Sequence, residues 1–372
     1  MTVAGTTGTG EALPPPSSAR VGAAGGVIGV GQARVTIPAG ALSADTQVSI
    51  AEVEGDDLLM GPAYDLQPDG LQLAAPATLS IRYTSADIPA GYSPEGIAIA
   101  SPDEHYQPAG GDPVAALTGV MPYFLETTVD TANAVVTAEI PHFSRYGGWP
   151  ISTFALSPGN SAVFVDPALV AGRAGTFDMG VTENGFSTND GSGVAEAQYV
   201  LLLRQIALTV QTLPGQVGDL YAHGLIAKLF KVTAGTSPQP LAAGVECILK
   251  DTGGAATGNS VWGERRMRLM DMGRGRTAGT RVPVQLDEEG TEWITQPSGL
   301  GLPSTPHPVT PPTGQSMLLA GTLEAGHYYA IVVDLWALAG VNDCSSPTVG
   351  CPSSQVWAWD EFEVLGLSVD TP

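Results

Sequence analysis

The chain has 372 residues, with Gly 47, Pro 30 and a hydrophobic share of 43%, and its 37 acidic against 15 basic residues leave a formal charge of −22. That length and apolar content support two folded domains and exclude a disordered chain. A field of that sign repels phosphate backbones and anionic lipid heads, which argues against a nucleic-acid partner, and no apolar run reaches the length of a membrane span.

The opening "MTVAGTTGTGEALPPPSSAR" has neither a basic stretch nor an apolar core, so it does not read as a signal peptide. Residues 1–24, rich in Thr, Gly, Ala, Pro and Ser, read as a flexible leader. From residue 25 the pattern becomes that of strands. "GGVIGVGQARVTIPAGAL" sets Val27, Val30, Val35 and Ile37 among turn glycines. "TQVSIAEV" alternates at Val48, Ile50 and Val53, and "LQLAAPATLSIRY" repeats the alternation. "GIAIAS" and "AVVTAEI" are further short strands. Short alternating runs punctuated by "QPDG" and "IPAGYSPEG" predict an antiparallel β-sandwich over 25–148.

The same residues carry a resemblance. Gly25-Gly26, Ile37-Pro38, Gly40-Ala41-Leu42 and Thr46, then Tyr64, Leu66, Pro68, Gly70 and Pro76, then His142 to Tyr146, follow the motif order of the β-sandwich module of zonula occludens proteins and netrin receptors. The first half thus resembles a bacterial version of that module over about residues 22–148. The resemblance implies a sandwich used as a spacer or adhesive unit. In some animal relatives the closing tripeptide is a self-cleavage point, which here would fall between Phe143 and Ser144, with Ser144 as nucleophile and His142 as base.

Residues 149–372 resemble no known family and predict a second β-sandwich with long Gly/Pro-rich loops, so the fold class expected for the whole chain is all-β. "SAVFVDPALV" reads as a strand pair or a strand and turn, and "VTENGFSTNDGSG" as a polar loop. The apolar run Tyr199–Leu213 reads as a buried strand, with a helix over 196–208 as its rival. "HGLIAKLFKV" reads as a strand with Lys228 and Lys231 on its wet side. "RVPVQLDEE" and "TEWITQ" read as a hairpin, 299–315 as a Pro-rich loop, and "GHYYAIVVDLWAL" and "VWAWDEFEVLGLSV" as strands joined by the 340–355 loop.

Several residues are candidates for chemistry or contact. His142, Phe143 and Ser144 offer self-cleavage, or simply cap the last strand of the first sandwich. Cys344 and Cys351 are spaced to close a small disulfide loop, which implies an oxidising compartment, while Cys247 reads as a buried core thiol. Arg265, Arg266, Arg268, Arg274, Arg276 and Arg281 form an arginine-rich segment in an otherwise acidic chain. It reads as a solvated strand pair, a contact for an acidic partner subunit, or an anion or glycan patch. Trp357 and Trp359, two apart on one strand, are either core or a sugar-stacking platform. Asn189 and Asp190 sit in an oxygen-rich stretch that reads as a turn, with a calcium loop the weaker alternative. No metal site and no other cofactor is expected, and the remaining histidines, His105, His223, His307 and His327, are scattered with no partner at ligand spacing. No nucleophile elbow, phosphate loop or zinc-protease motif occurs. The expectation is a non-enzymatic structural or adhesive protein, extracellular or on a bacterial surface, that associates with itself or with other surface proteins. The alternatives are a virion surface protein, a carbohydrate-binding module or hydrolase, and a self-cleaving module.

Overall fold

The computed structural model describes residues 13–55, 60–105, 122–165, 179–186, 193–200, 205–212, 218–256, 260–275, 284–295, 315–341 and 357–372. Its first half supplies β1 (Ser17–Val21), β2 (Gly26–Val30), β3 (Ala33–Ile37), β4 (Thr46–Val53), β5 (Ala63–Gln67), β6 (Gln72–Arg82), β7 (Ile97–His105), β8 (Pro122–Phe124), β9 (Thr127–Asp130), β10 (Val135–His142) and β11 (Arg145–Pro150). Two sheets result, in the orders β1-β4-β5-β11-β7-β8 and β2-β3-β6-β10-β9. The period-2 alternation is why: Val48 and Ile50 from one sheet meet Val35, Leu79 and Ile140 from the other in a shared apolar cluster. Burying each such side chain is worth ~1.5–3 kcal/mol.

The motifs that punctuate these strands have local causes. Ile37 ends β3 buried, and Pro38 then removes the next donor from the ladder. Gly40 takes φ 80°, which a side chain resists. Gly25 takes φ 75° with its Cα so near the Ile37 carbonyl that a Cβ would lie 2.4 Å from the oxygen.

The second half contributes β12 (Ser152–Leu156), β13 (Ser161–Val165), β14 (Met179–Phe186), β15 (Gly193–Val200), β16 (Gln205–Thr212), β17 (Gly218–Ala234), β18 (Leu241–Ala256), β19 (Ser260–Gly273), β20 (Val284–Thr295), β21 (Gln315–Leu323), β22 (Tyr328–Val341) and β23 (Trp357–Asp370). One sheet runs β12-β17-β22-β19-β20 with β14 also on β17; the other runs β15-β16-β23-β18-β21 with β13 also on β23. Among the described residues β12 pairs parallel with β17 and the other strand pairings are antiparallel. The fold is all-β, as the alternation predicts.

The β17-β22-β19 region is apolar on both faces. Ile226, Phe230, Ile331 and Val333 point into the core of their own half, while the alternate residues Leu225, Leu229, Ala330 and Val332 join the apolar cluster of the first half. Phe124 stacks on Tyr328 with ring centroids 5.4 Å apart, and Trp149 packs edge-on against Phe124 at 5.9 Å. The two halves are therefore joined through a continuous apolar contact.

That joint overturns one expectation. Lys228 and Lys231 are not on a wet face: they are 0% and 8% exposed. The Lys231 ammonium sits 5.5 Å from the centre of the Tyr328 ring and donates to the Thr127 carbonyl at 3.4 Å, and the Lys228 ammonium lies 5.8 Å from the Tyr92 ring. Both reach into the first half. Burial pushes the Lys231 amine down to about 8.

Four further expectations change. Residues 17–21, expected to be leader, form a strand: Ser17–Val21 pairs with β4, and Val21 is buried against Gly26. "VTENGF" is strand rather than loop, since it lies in β14 and pairs along β17 from Glu183 opposite His223 to Phe186 opposite Leu220. The run Tyr199–Leu213 is split between β15 and β16, which pair as antiparallel neighbours, so neither a single strand nor a helix forms there. Residues 284–295 form one strand instead of a hairpin. Gly290 stays in the ladder opposite Arg266, since neither flank carries a tight-turn dipeptide.

Candidate functional site

The closing corner of the first half is built where β10 ends and β11 begins. The β10–β6 register shifts between Ile140 and His142, which releases the chain from the ladder just before Phe143. Phe143 is fully buried. Its N–H donates to the Leu71 carbonyl at 3.0 Å, and its own carbonyl accepts from the Gly70 N–H at 2.8 Å. The Leu66 N–H donates to the Ser144 carbonyl at 3.2 Å, and the Tyr146 hydroxyl donates to the His142 carbonyl at 3.0 Å. The tripeptide is thus held on both sides by the segment from Leu66 to Leu71.

Ser144 is buried, with its hydroxyl 3.5 Å from that of Ser101. Beside the corner runs an open polar groove of about 700 Å³, lined by residues that include Asp65, Asp69, Gln72, His142, Ser144 and Arg145. Chemically, the Phe143 carbonyl has one backbone donor, from Gly70, where an oxyanion would develop. That is half of the usual pair of donors in an oxyanion hole.

The second cluster of ionisable groups is in β17, β19, β20 and β22. Arg268 is 1% exposed and bridges two carboxylates: its Nε donates to Glu288 Oε2 at 2.8 Å and its Nη1 to Asp334 Oδ2 at 2.5 Å. Asp334 is 0% exposed, and His223 Nε2 lies 3.9 Å from its Oδ2. Burial, reinforced by the Arg268 guanidinium, pushes the His223 imidazole down to about 3. At neutral pH the ring is therefore uncharged, and its approach to Asp334 is not an ion pair. For Glu288, burial acts upward, but the hydrogen bond and charge of Arg268 outweigh it and hold the carboxyl below its ordinary value. Gln285 adds a hydrogen bond to the same Glu288 oxygen at 3.1 Å.

A third cluster ties the turn before β22 to β19. His327 is buried, with Nδ1 3.1 Å from Asp271 Oδ1 and Nε2 3.3 Å from Glu324 Oε2. Its ring stacks on Tyr329 at 6.2 Å. His223 and His327, which have no partner at ligand spacing in the sequence, each face carboxylates of residues brought close by the fold. The available signal was a single charged residue inside an apolar run, Asp334 in "AIVVDLW". Among the described residues no group of three or more His, Cys, Asp or Glu is disposed to hold a metal ion.

Of the arginine-rich segment, Arg266 and Arg268 meet at Glu288. Arg268 is a core residue rather than a contact residue. Arg266 is partly buried and pairs with Glu288 at 3.5 Å, and Arg274 is exposed at the turn beyond β19. Arg265 lies on β19 opposite Thr291 and Leu335, with its side chain outside the described set; Arg276 and Arg281 lie outside the described residues. Trp357 and Trp359 lie on β23, a central strand, with Trp359 opposite Thr209 and Gly254, and their side chains too are outside the described set. Cys344, Cys351, Asn189 and Asp190 also lie outside the described residues. Cys247 is fully buried, and burial pushes its thiol well above the ordinary range.

No protein-family model and no curated protein matches this chain. Among solved structures it is similar to the tandem CBM22 domains of Xyn10C from Paenibacillus barcinonensis, at 9% identity over 99% of this chain and 100% of the other, with a TM-score of 0.18. It is similar to a Cry1Da tryptic core variant of Bacillus thuringiensis at 10% identity over 86% of this chain and 48% of the other, TM-score 0.18. It is also similar to the Gx strain of infectious bursal disease virus, at 11% identity over 97% and 80%, TM-score 0.11. Values this low carry no argument about the fold or role of this chain.

Proposed function

We propose that this chain is a non-enzymatic structural or adhesive protein of an extracellular surface, a pair of fused β-sandwiches that presents loops and strand edges to other copies or to neighbouring surface proteins. The observation that carries the reading is the joint. Leu225, Leu229, Ala330 and Val332 continue the apolar cluster of the first half, and the Phe124–Tyr328 stack and the Lys231 contact cross the same boundary. A joint of this kind resists hinge motion between the halves, which suits a rigid spacer. The motif order of the first half, which resembles a known spacer module, supports the same reading. Labelling intact producing cells with an antibody to the chain tests it. Signal on unbroken cells is expected, and signal that appears only after lysis would refute the proposal.

The corner at His142-Phe143-Ser144 favours one second reading, because the Phe143 carbonyl already accepts a backbone hydrogen bond from Gly70. In that reading the Ser144 hydroxyl adds to the Phe143 carbonyl carbon, the Phe143–Ser144 amide breaks as its nitrogen takes a proton, and water then hydrolyses the resulting ester. Against it, the same peptide is locked by hydrogen bonds on both sides, and the Ser144 hydroxyl faces another neutral hydroxyl, that of Ser101. Intact-mass spectrometry after prolonged incubation decides between them: one species at 38.1 kDa is the expected result, and two fragments meeting at Phe143–Ser144, lost on Ser144→Ala, would replace the first reading.

A further inference from the structure

The strand β21 is an edge strand, paired on one side by β18. Its nine residues, "QSMLLAGTL", carry no charge in a chain of net charge −22. Met317 and Leu319 point into the core, whereas Leu318 is 63% exposed and its outward neighbours Ser316, Ala320 and Thr322 are exposed and uncharged. A long, uncharged edge of this kind is a template for pairing with another strand. It is the longest uncharged edge strand among the described residues.

Its central outward N–H groups are nevertheless occupied. The backbone N–H groups of Leu318 and Ala320 donate to side-chain carboxylates of Glu289 and Asp287 on β20, the Ala320 bond at 2.7 Å. Two carboxylates two residues apart on β20 meet two N–H groups two residues apart on β21, so the spacing of one strand matches that of the other. The oxygens stand where the carbonyls of a further strand would stand. Gly321 permits the close approach: a Cβ there would lie 2.7 Å from Leu269 and 3.2 Å from Leu286, which packs between the two edges.

We infer that Asp287 and Glu289 form a self-capping comb that keeps β21 from pairing with the same edge of a second copy. The occupant they exclude is a second copy, because an uncharged strand can pair antiparallel with itself about a two-fold axis without bringing like charges opposite one another. This inference is independent of where the protein resides, and it predicts that any self-association of the unaltered chain runs through a different surface.

The test uses the full chain and hydrogen exchange at single amides. In Asp287→Ala the Ala320 amide exchanges about tenfold faster or more while Leu318 keeps its protection, and Glu289→Ala shows the reverse. The double variant D287A/E289A gains a concentration-dependent association, read by sedimentation, that Ala320→Pro removes by abolishing the donor. Asp287→Asn with Glu289→Gln keeps an acceptor oxygen at each position and behaves like the parent. Unchanged exchange at both amides in the single variants overturns the comb. Association of the double variant that survives Ala320→Pro overturns the assignment of the edge.

Discussion

Replacing Asp334 by alanine lowers the stability of the chain by about 3–5 kcal/mol, whereas the paired replacement R268M/D334L costs far less. The asymmetry follows from burial. Arg268 and Asp334 are 1% and 0% exposed, and Asp334 accepts one of the two charge-assisted bonds that hold the guanidinium. Removing the carboxylate leaves the Arg268 charge in the interior with Glu288 as its remaining carboxylate partner, and Glu288 lies toward the solvent side at 31% side-chain exposure. Removing both charges dispenses with their desolvation cost and leaves apolar side chains at two buried positions. Denaturant midpoints of the parent, D334A and R268M/D334L check this, and their ordering alone is decisive. If D334A matches the parent within about 0.5 kcal/mol, the pair contributes no more than a surface contact.

The strands were legible where one face of a sheet is buried and the other wet. β4 runs Thr46–Val53 as its alternation predicts, with Val48 and Ile50 inward. β22 and β23, the clearest apolar runs of the second half, are central strands with partners on both sides. The misplaced lysines have a physical cause: alternation reports which residues share a face but not what covers that face. Lys231 is on the opposite face from Phe230, as period 2 requires, yet that face is covered by the first half. Positions 222–230 are buried on both faces, and a near-continuous apolar run is the signature of a doubly covered strand. The lysines inside the run obscured it. At the candidate corner, the tripeptide was legible from its motif, but its lock was not, because Gly70, Leu71 and Leu66 reach it through backbone groups that leave no trace in residue type. Arg268 was grouped with its sequence neighbours for its charge. Its partner, Asp334, is distant in sequence, and a long-range pair between single residues on separate strands has no local pattern.

Replacing Lys231 by methionine raises stability at pH 7 and removes a pH dependence that the parent shows above pH 8. The Lys231 amine has an ordinary value of 10.5 and is pushed down to about 8 by burial. Below pH 8 both the folded and unfolded chains carry the proton, so the folded state bears the full cost of a buried ammonium. Between 8 and 10.5 the unfolded chain holds a proton that the folded chain has lost, so stability rises with pH. The rise is about 1.4 kcal/mol per pH unit, or about 3 kcal/mol across the window. The groups facing the amine are the Tyr328 ring at 5.5 Å and the Thr127 carbonyl at 3.4 Å, neither of which is a carboxylate able to offset the burial of charge. Methionine keeps the apolar stem and loses the ring contact, worth about 0.5–2 kcal/mol, so the net gain at pH 7 is about 1–2 kcal/mol. Comparing denaturant midpoints of parent and K231M from pH 7 to 9.5 isolates this amine, because other titrations are common to both chains and the tyrosines Tyr64, Tyr328 and Tyr329 are pushed above their ordinary value. The two curves should converge as pH rises through that range. Parallel curves would mean that the amine keeps its proton in the folded chain, and that the joint between the sandwiches holds a charge it does not need to release.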